Sequence, residues 1–396
     1  MNMFSEYEKL TRQCESENVS PRKAAFSMFC WCLKQLFGGE EQENVEEEKK
    51  NIEIDSQERV NVAMVTSGGL GDHLLFANYV FHFKQMFVDE TIDVFFKDKF
   101  GLASHIFHEH EVINKFYELK DLVENKYDLV LNLAGFPSVE SVDVKRIQAL
   151  NPKLFDYVQM CQEYKKYCRS AFRGNAYGMM KLCELEGRTL LQRGDIYNYL
   201  NVNSYQYPLF IDIDETEYLE RVNLKPDQYI TIQTGIDVIY DSHVKQWPIE
   251  HYRQLVKMIS HSFPKIKIVQ VGNSGDTCLE GISNSLNLLK QTNVEEIKIL
   301  VKNSLLHIDI EGGLVHMRNA LKGGISVVLF GPTDIRFSGY EKNVNLKTNF
   351  CDDGCYQLTS DWPYRCPKTG MCGYAECMRT LRPEQVFKEI YKLIGK

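Results

Sequence analysis

No stretch of the 396 residues approaches the ~18 to 20 uninterrupted apolar residues of a membrane-crossing helix, so a helical span is not expected. The opening residues, Met1-Asn2-Met3-Phe4-Ser5-Glu6, lack a basic region followed by an apolar core and a cleavage site; the chain is expected in the cytoplasm. Positive charge is not in excess either. Against 54 Asp and Glu stand 46 Lys and Arg, a net charge of −8, which removes nucleic acid as an expected main partner. Several signatures are also missing: the dinucleotide turn GxGxxG, the Gly-Lys-Ser/Thr of a phosphate loop, His-Glu-x-x-His, a paired Cys-x-x-Cys ribbon, and any repeat at a solenoid period.

What is present fits two sizeable domains. With 44% apolar residues the chain can core both at roughly 150 residues per domain. Residues 1–37 read as a helical segment in which Phe26, Phe29, Cys30, Leu33 and Phe37 recur at helical spacing, with Pro21 placed to begin it. Residues 38–59 read as an acidic linker: from Glu40 to Arg59 there are nine acidic and three basic residues and hardly any apolar ones. The body begins near Val60. An apolar run, Val60 to Val65, is followed by Gly68-Gly69-Leu70-Gly71-Asp72 and a helical stretch from Leu74 to Phe87, which reads as strand, glycine turn, helix. Ile92 to Phe96 and Tyr127 to Leu133 read as further strands, and residues 155–200 as mainly helical. A second alternating unit starts at Tyr229 to Gln233. It continues with a helix carrying Tyr252, Leu255, Val256, Ile259 and Phe263 on one face, and with the strand Lys267 to Gly272. A helix from Val294 to Leu305, one from Leu314 to Leu321, and a strand from Ile325 to Phe330 follow. The expected fold is α/β, with two Rossmann-like doubly wound domains, 60–215 and 216–396, facing a cleft where ligands bind beyond the carboxyl ends of the strands.

Three clusters sit where such a cleft would be. Gly69, Gly71 and Asp72 lie at the end of the first strand, where glycines let a backbone approach a substrate and a carboxylate faces the cleft; the same Asp72 could simply cap the helix. Lys245-Gln246-Trp247-Pro248 follows the Thr234-Gly235 turn and precedes a helix, and a lysine there either neutralises a phosphate or is merely solvated. In Glu311-Gly312-Gly313-Leu314-Val315-His316 the glycines would expose N–H groups at a helix start, a site for a diphosphate. His316 by itself reads first as a buried residue with a hydrogen-bond partner.

The order and spacing of these three elements, with Val327-Val328-Leu329-Phe330-Gly331-Pro332-Thr333 after them, resemble glycosyltransferase family 9, the bacterial heptosyltransferases, over about residues 60–395. The resemblance implies a GT-B fold and inverting, metal-independent transfer of heptose or a related sugar. The donor would be a nucleotide sugar such as ADP-heptose, and the acceptor a bacterial surface glycan, a lipid-linked glycan or a protein. It makes Asp72 the general base and assigns Lys245 and the Gly312 and Gly313 amides to the leaving diphosphate, with Thr234 as a hydroxyl against the same phosphates. Glu311 and Gly312 stand where the family has Asp and Ser/Thr, which leaves the donor's identity open. The rivals are a nucleotide-sugar epimerase of the same fold, against which Lys-x-Trp-Pro speaks, and a metal-stapled scaffold without transfer.

Of twelve cysteines, seven are scattered and read as ordinary buried thiols, whereas Cys351, Cys355, Cys366, Cys372 and Cys377 fall in the segment 349–379. Four thiolates can close a tetrahedral metal site, and by spacing alone metal and free thiols are equally open. Resemblance to the autotransporter heptosyltransferases implies one structural iron or zinc held by Cys351, Cys355, Cys366 and Cys377, with Cys372 spare. Asp212-Ile213-Asp214 resembles a metal-binding Asp-x-Asp, but it lies between the expected domains, and His105, His108 and His110 read as a loop face. The segment 21–37, with Arg22, Lys23 and Lys34, is read as docking on the protein or a partner in preference to a peripheral membrane contact.

Overall fold

The fully buried run Val62 to Met64 marks β1 (Asn61–Thr66) as a central strand, since only a strand covered on both faces can be apolar at successive positions. With β2 (Thr91–Phe96), β3 (Lys115–Glu118), β4 (Leu129–Asn132) and β5 (Ser138–Val142) it forms a sheet of order β3-β2-β1-β4-β5. All neighbours run parallel except β4 and β5, whose antiparallel ladder shifts register between Val130 and Leu131. A second sheet contains β6 (Tyr229–Gln233), β7 (Lys267–Val271), β8 (Ser285–Asn287), β9 (Leu306–Ile310), β10 (Ser326–Leu329) and β11 (Val344–Leu346). Its order is β11-β10-β9-β6-β7-β8, parallel throughout. This computed structural model describes residues 59–395 apart from 108–110, 170–182, 185, 196–197, 236–243, 352–353, 357–364 and 371. The amphipathic segment 1–37 and the linker to residue 58 lie outside the described residues, as do His108 and His110.

Helices cover both sheets. α1 (Leu70–Met86) follows β1, α2 (Pro152–Arg169) lies further along the first unit, and α3 (Glu215–Arg221) opens the second. The helical expectation for 155–200 is corrected at 186–195, which hold turns and a single 3-10 turn, with Gly187 at φ +71°, a conformation that breaks a helix. α4 (Ile249–Ser262) buries Tyr252, Leu255, Val256 and Ile259 on one face. α5 (Val294–Asn303) and α6 (Gly313–Ala320) flank β9, and a short α7 (Glu376–Thr380) precedes α8 (Pro383–Ile394), which packs its buried Val386 and Ile390 into the same core as α4. No described helix is long and apolar enough to cross a membrane.

The two units share a core: Leu314 and Met317 of α6 belong to the same buried cluster as Leu74 and Ala77 of α1. A second tie is electrostatic. The Lys298 ammonium, almost wholly buried on α5, donates to the carbonyls of His105 and Phe210 and to both carboxylate oxygens of Glu295. Glu295 also accepts from the Asp212 N–H at 3.0 Å and lies 2.7 Å from His105 Nδ1. His105, Asp212 and Glu295 thus bring three ligand-type atoms within 4.8 Å of one another. Lys298 already supplies the cation there, and its positive charge opposes a metal ion.

Candidate active site

Both sheets reverse their strand order beside the strands that carry the expected motifs, β1 in the first and β6 with β9 in the second. The loops leaving these strands therefore open into the crevices where such sheets bind ligands. On the first side, Gly69 caps α1 and its N–H donates to Asp72 Oδ2 at 3.0 Å, so Asp72 does cap its own helix. Its other oxygen, Oδ1, accepts from the Arg193 guanidinium at 2.7 Å. Burial alone would raise the Asp72 pKa, but the charge and hydrogen bond of Arg193 and the Gly69 N–H outweigh it, and the carboxyl is held below its usual range. Asp72 keeps about a third of its surface exposed, so a ligand can reach it. The sequence reading missed Arg193, because its segment carries no motif and comes to Asp72 only through the turn after the 3-10 helix at Leu190–Gln192.

On the second side, Lys245 is not a solvated lysine. Its Nζ donates to Glu311 Oε2 at 2.7 Å, and its ammonium sits 4.6 Å from the centre of the Tyr356 ring. Burial works against the charge, but Glu311 and Tyr356 prevail and the Lys245 pKa is raised. His316 Nδ1 lies 2.6 Å from the Tyr340 hydroxyl and its Nε2 lies 4.0 Å from Glu311 Oε1. Burial outweighs the nearby carboxylates and lowers its pKa, so the imidazole is neutral at neutral pH. Trp247 of Lys-x-Trp-Pro is fully buried and donates to the Leu381 carbonyl at 2.8 Å, which anchors the segment carrying Lys245.

The glycines divide into two kinds. A Cβ on Gly71 would come within 2.6 Å of His316, and one on Gly313 within 3.1 Å of Leu70, so these two are needed where α1 and α6 touch across the cleft. A Cβ on Gly69 or Gly312 would meet nothing closer than 3.8 Å, which leaves room beside both backbones. Thr234 departs from its expected role. It is 2% exposed, its hydroxyl donates to the Asp276 carbonyl at 2.8 Å, and it accepts from Gln270 at 2.9 Å, so it braces two loops and offers no free donor to a phosphate.

One further cavity is lined by Cys351, Cys355, Cys366 and Cys377, together with Val244, Gly331, Pro332, Arg365, Pro367, Lys368 and Ala375. Cys372 is exposed and does not line it. Burial pushes the Cys355 thiol up to about 11 and the Cys377 thiol up to about 12. Cys366 is held below its usual value: burial raises it, but hydrogen bonds from the Thr369 side chain and several backbone N–H groups favour the thiolate more strongly. The scattered Cys161, Cys183 and Cys278 are buried free thiols, each pushed up to about 12 by burial.

Residues 197–356 match the sequence profile of glycosyltransferase family 9 (heptosyltransferase). No curated protein matches by sequence. Among solved structures, E. coli ADP-heptose lps heptosyltransferase II is similar at 16% identity and TM-score 0.50, over 84% of this chain and 98% of that one. The family 9 glycosyl transferase from Veillonella parvula is similar at 15% identity and TM-score 0.51, over 84% of this chain and 97% of that one. The iron-containing dodecameric glycosyltransferase TibC of enterotoxigenic E. coli is similar at 12% identity and TM-score 0.56, over 85% of this chain and 76% of that one. The chain has the GT-B fold, and its residues 197–356 match glycosyltransferase family 9 (heptosyltransferase).

Proposed function

We propose that the protein transfers a sugar from a nucleoside diphosphate donor to an acceptor hydroxyl, with inversion at the anomeric carbon. The observation that carries this reading is the meeting of Asp72 with the Lys245, Glu311 and His316 group at the contact between α1 and α6. Asp72 takes the proton of the acceptor hydroxyl as its oxygen attacks the anomeric carbon. The bond to the diphosphate breaks, and its electron pair leaves with the phosphate oxygen. Lys245, released from Glu311, and the N–H groups of Gly312 and Gly313 at the start of α6 meet that developing charge. Heptose is the sugar favoured by the family match, and ADP the nucleotide favoured by the similar structures. A glycan or protein of the bacterial surface is the proposed acceptor, with the protein acting from the cytoplasm.

Catalysis in this scheme uses no metal; the cysteine cavity is proposed to hold a structural one. Four cysteines line one cavity and the N–H groups around Cys366 suit a thiolate ligand, so the residue types suit iron or zinc, although their sulfurs are not gathered within 4.8 Å of one another as the ligand atoms of His105, Asp212 and Glu295 are. TibC is described as iron-containing, which makes iron the first candidate.

Incubation with labelled nucleotide sugars tests the activity. One donor should be hydrolysed or consumed, and Asp72→Ala should lower turnover roughly 10²- to 10⁴-fold while leaving donor affinity nearly intact. Absence of donor binding in calorimetry, or near-normal turnover by Asp72→Ala, would sink the respective claim.

A further inference from the structure

The cysteine-rich segment does more than line its own cavity. Tyr356 follows Cys355 directly, and both backbone N–H groups donate to the Pro332 carbonyl, at 3.0 and 2.7 Å. This carbonyl belongs to the loop that leaves β10 towards the cleft. The Tyr356 ring faces two ways from there. It lies over the Lys245 ammonium, and it packs against the buried Cys183 and Phe337, against which Phe136 and Leu190 of the first unit also pack. Val244, next to Lys245 in the chain, lines the cysteine cavity itself. The cysteines, the aromatic ring and the lysine therefore form one contiguous body.

We propose that Tyr356 is a positioning residue for Lys245, and that through it the cysteine-rich segment is part of the donor site. The proposal rests on the reading of Lys245 as the diphosphate clamp. A lysine stem has four rotatable bonds, and the ammonium at its end points at a ligand only if something holds it. Glu311 holds it from one side but must give it up when a diphosphate arrives. The Tyr356 ring attracts the ammonium through its π face and carries no charge that a phosphate must displace. It can therefore keep the cation in place through the exchange of Glu311 for the ligand. Because Tyr356 also packs against the cluster that holds Cys183 of the first unit, the same ring ties the position of Lys245 to the unit that carries Asp72.

Calorimetry on the full chain as purified, with ADP, GDP and UDP as probes, tests this. The tightest-binding nucleotide is then carried through the variants. Lys245→Ala should weaken binding strongly, Tyr356→Phe should bind like wild type, and Tyr356→Leu should lose roughly ten-fold in affinity with unchanged metal content. In the Lys245→Ala background, Tyr356→Leu should have no further effect, since a residue that acts through another adds nothing once that other is gone. If Tyr356→Leu does not fold, Tyr356→Met, which fills the same apolar contacts without a ring, takes its place with the same expectations. Wild-type affinity in Tyr356→Leu alongside a weakened Lys245→Ala overturns the proposal and leaves the clamp standing. A full additional loss in the double variant also overturns it, because Tyr356 would then touch the nucleotide directly. Normal binding by Lys245→Ala, or no binding of any nucleotide by wild type, removes the clamp and this proposal with it.

Discussion

A base that accepts a hydrogen bond from an arginine is a weaker base, and Asp72, the proposed base, shows both sides of that arrangement. Arg193 keeps the carboxylate ionised and pointed, at the cost of proton affinity. For the stability of the native state, a depressed carboxylate pKa contributes above the unfolded value near 3.9 and that contribution is lost as pH falls through the folded value. In the proposed reaction, with Asp72 as base, the same shift should place the acid limb of kcat/KM below the usual carboxylate range. Arg193→Met removes the largest stabilising partner and leaves the Gly69 N–H as the main opponent of desolvation, so the acid limb should move to higher pH; a pH–rate profile that does not move would refute the role of Arg193. The sequence contained this partner without marking it, since an arginine in a turn 121 residues away has no periodicity or spacing relative to Asp72.

At the scale of elements, the contact between the amino-terminal ends of α1 and α6 decides which glycines are replaceable. Gly71 stands against the ring of His316, so a methyl group there must displace a buried imidazole that is bonded to Tyr340. Gly71→Ala should lower stability by about 1 to 3 kcal/mol, the usual cost of overpacking. Gly312→Ser should be within ~0.5 kcal/mol of wild type, since its Cβ meets only ordinary contacts. Chemical denaturation of the two variants separates these outcomes, and equal losses would contradict the close approach of the helices. Strand legibility followed the same logic of burial. Largely apolar and buried runs showed β1, β2, β4, β6, β7 and β10, whereas β3, β5, β8 and β11 are short, mostly half-exposed and carry polar residues. β9 was visible only at Ile308, because His307 and Asp309 occupy fully buried positions and interrupt the run.

For the molecule as a whole, the segment 349–379 has few aliphatic residues and several turn-formers, so it buries little apolar surface of its own. Its order is expected to depend on a cross-link, and in a reducing compartment a thiolate-bound metal supplies one where a disulfide does not persist. Elemental analysis of protein purified without a metal-affinity tag should show about one iron or zinc per chain. Cys355→Ser should lose it, and chelation should lower the Tm of wild type. A metal-free wild type with all five thiols freely titratable would end the proposal.

The sequence by itself determined the alternation of buried strands and amphipathic helices, and hence the doubly wound class, because both periodicities are local consequences of burial. It also placed Asp72 beyond the apolar run Val60 to Val65, Lys245 ahead of the helix that Trp247-Pro248 introduces, and Glu311 ahead of the glycine pair that opens the next helix. Only the tertiary structure decided what those residues touch. Thr234 turned inward to brace Asp276 and Gln270, Lys245 turned to Glu311 and Tyr356, and Asp72 acquired Arg193. Such pairings depend on loops that close over tens of residues and on the packing of α1 against α6. A side chain's partner is set by the one arrangement in which burial, charge and hydrogen bonding are satisfied together, and that condition is not written at any single position.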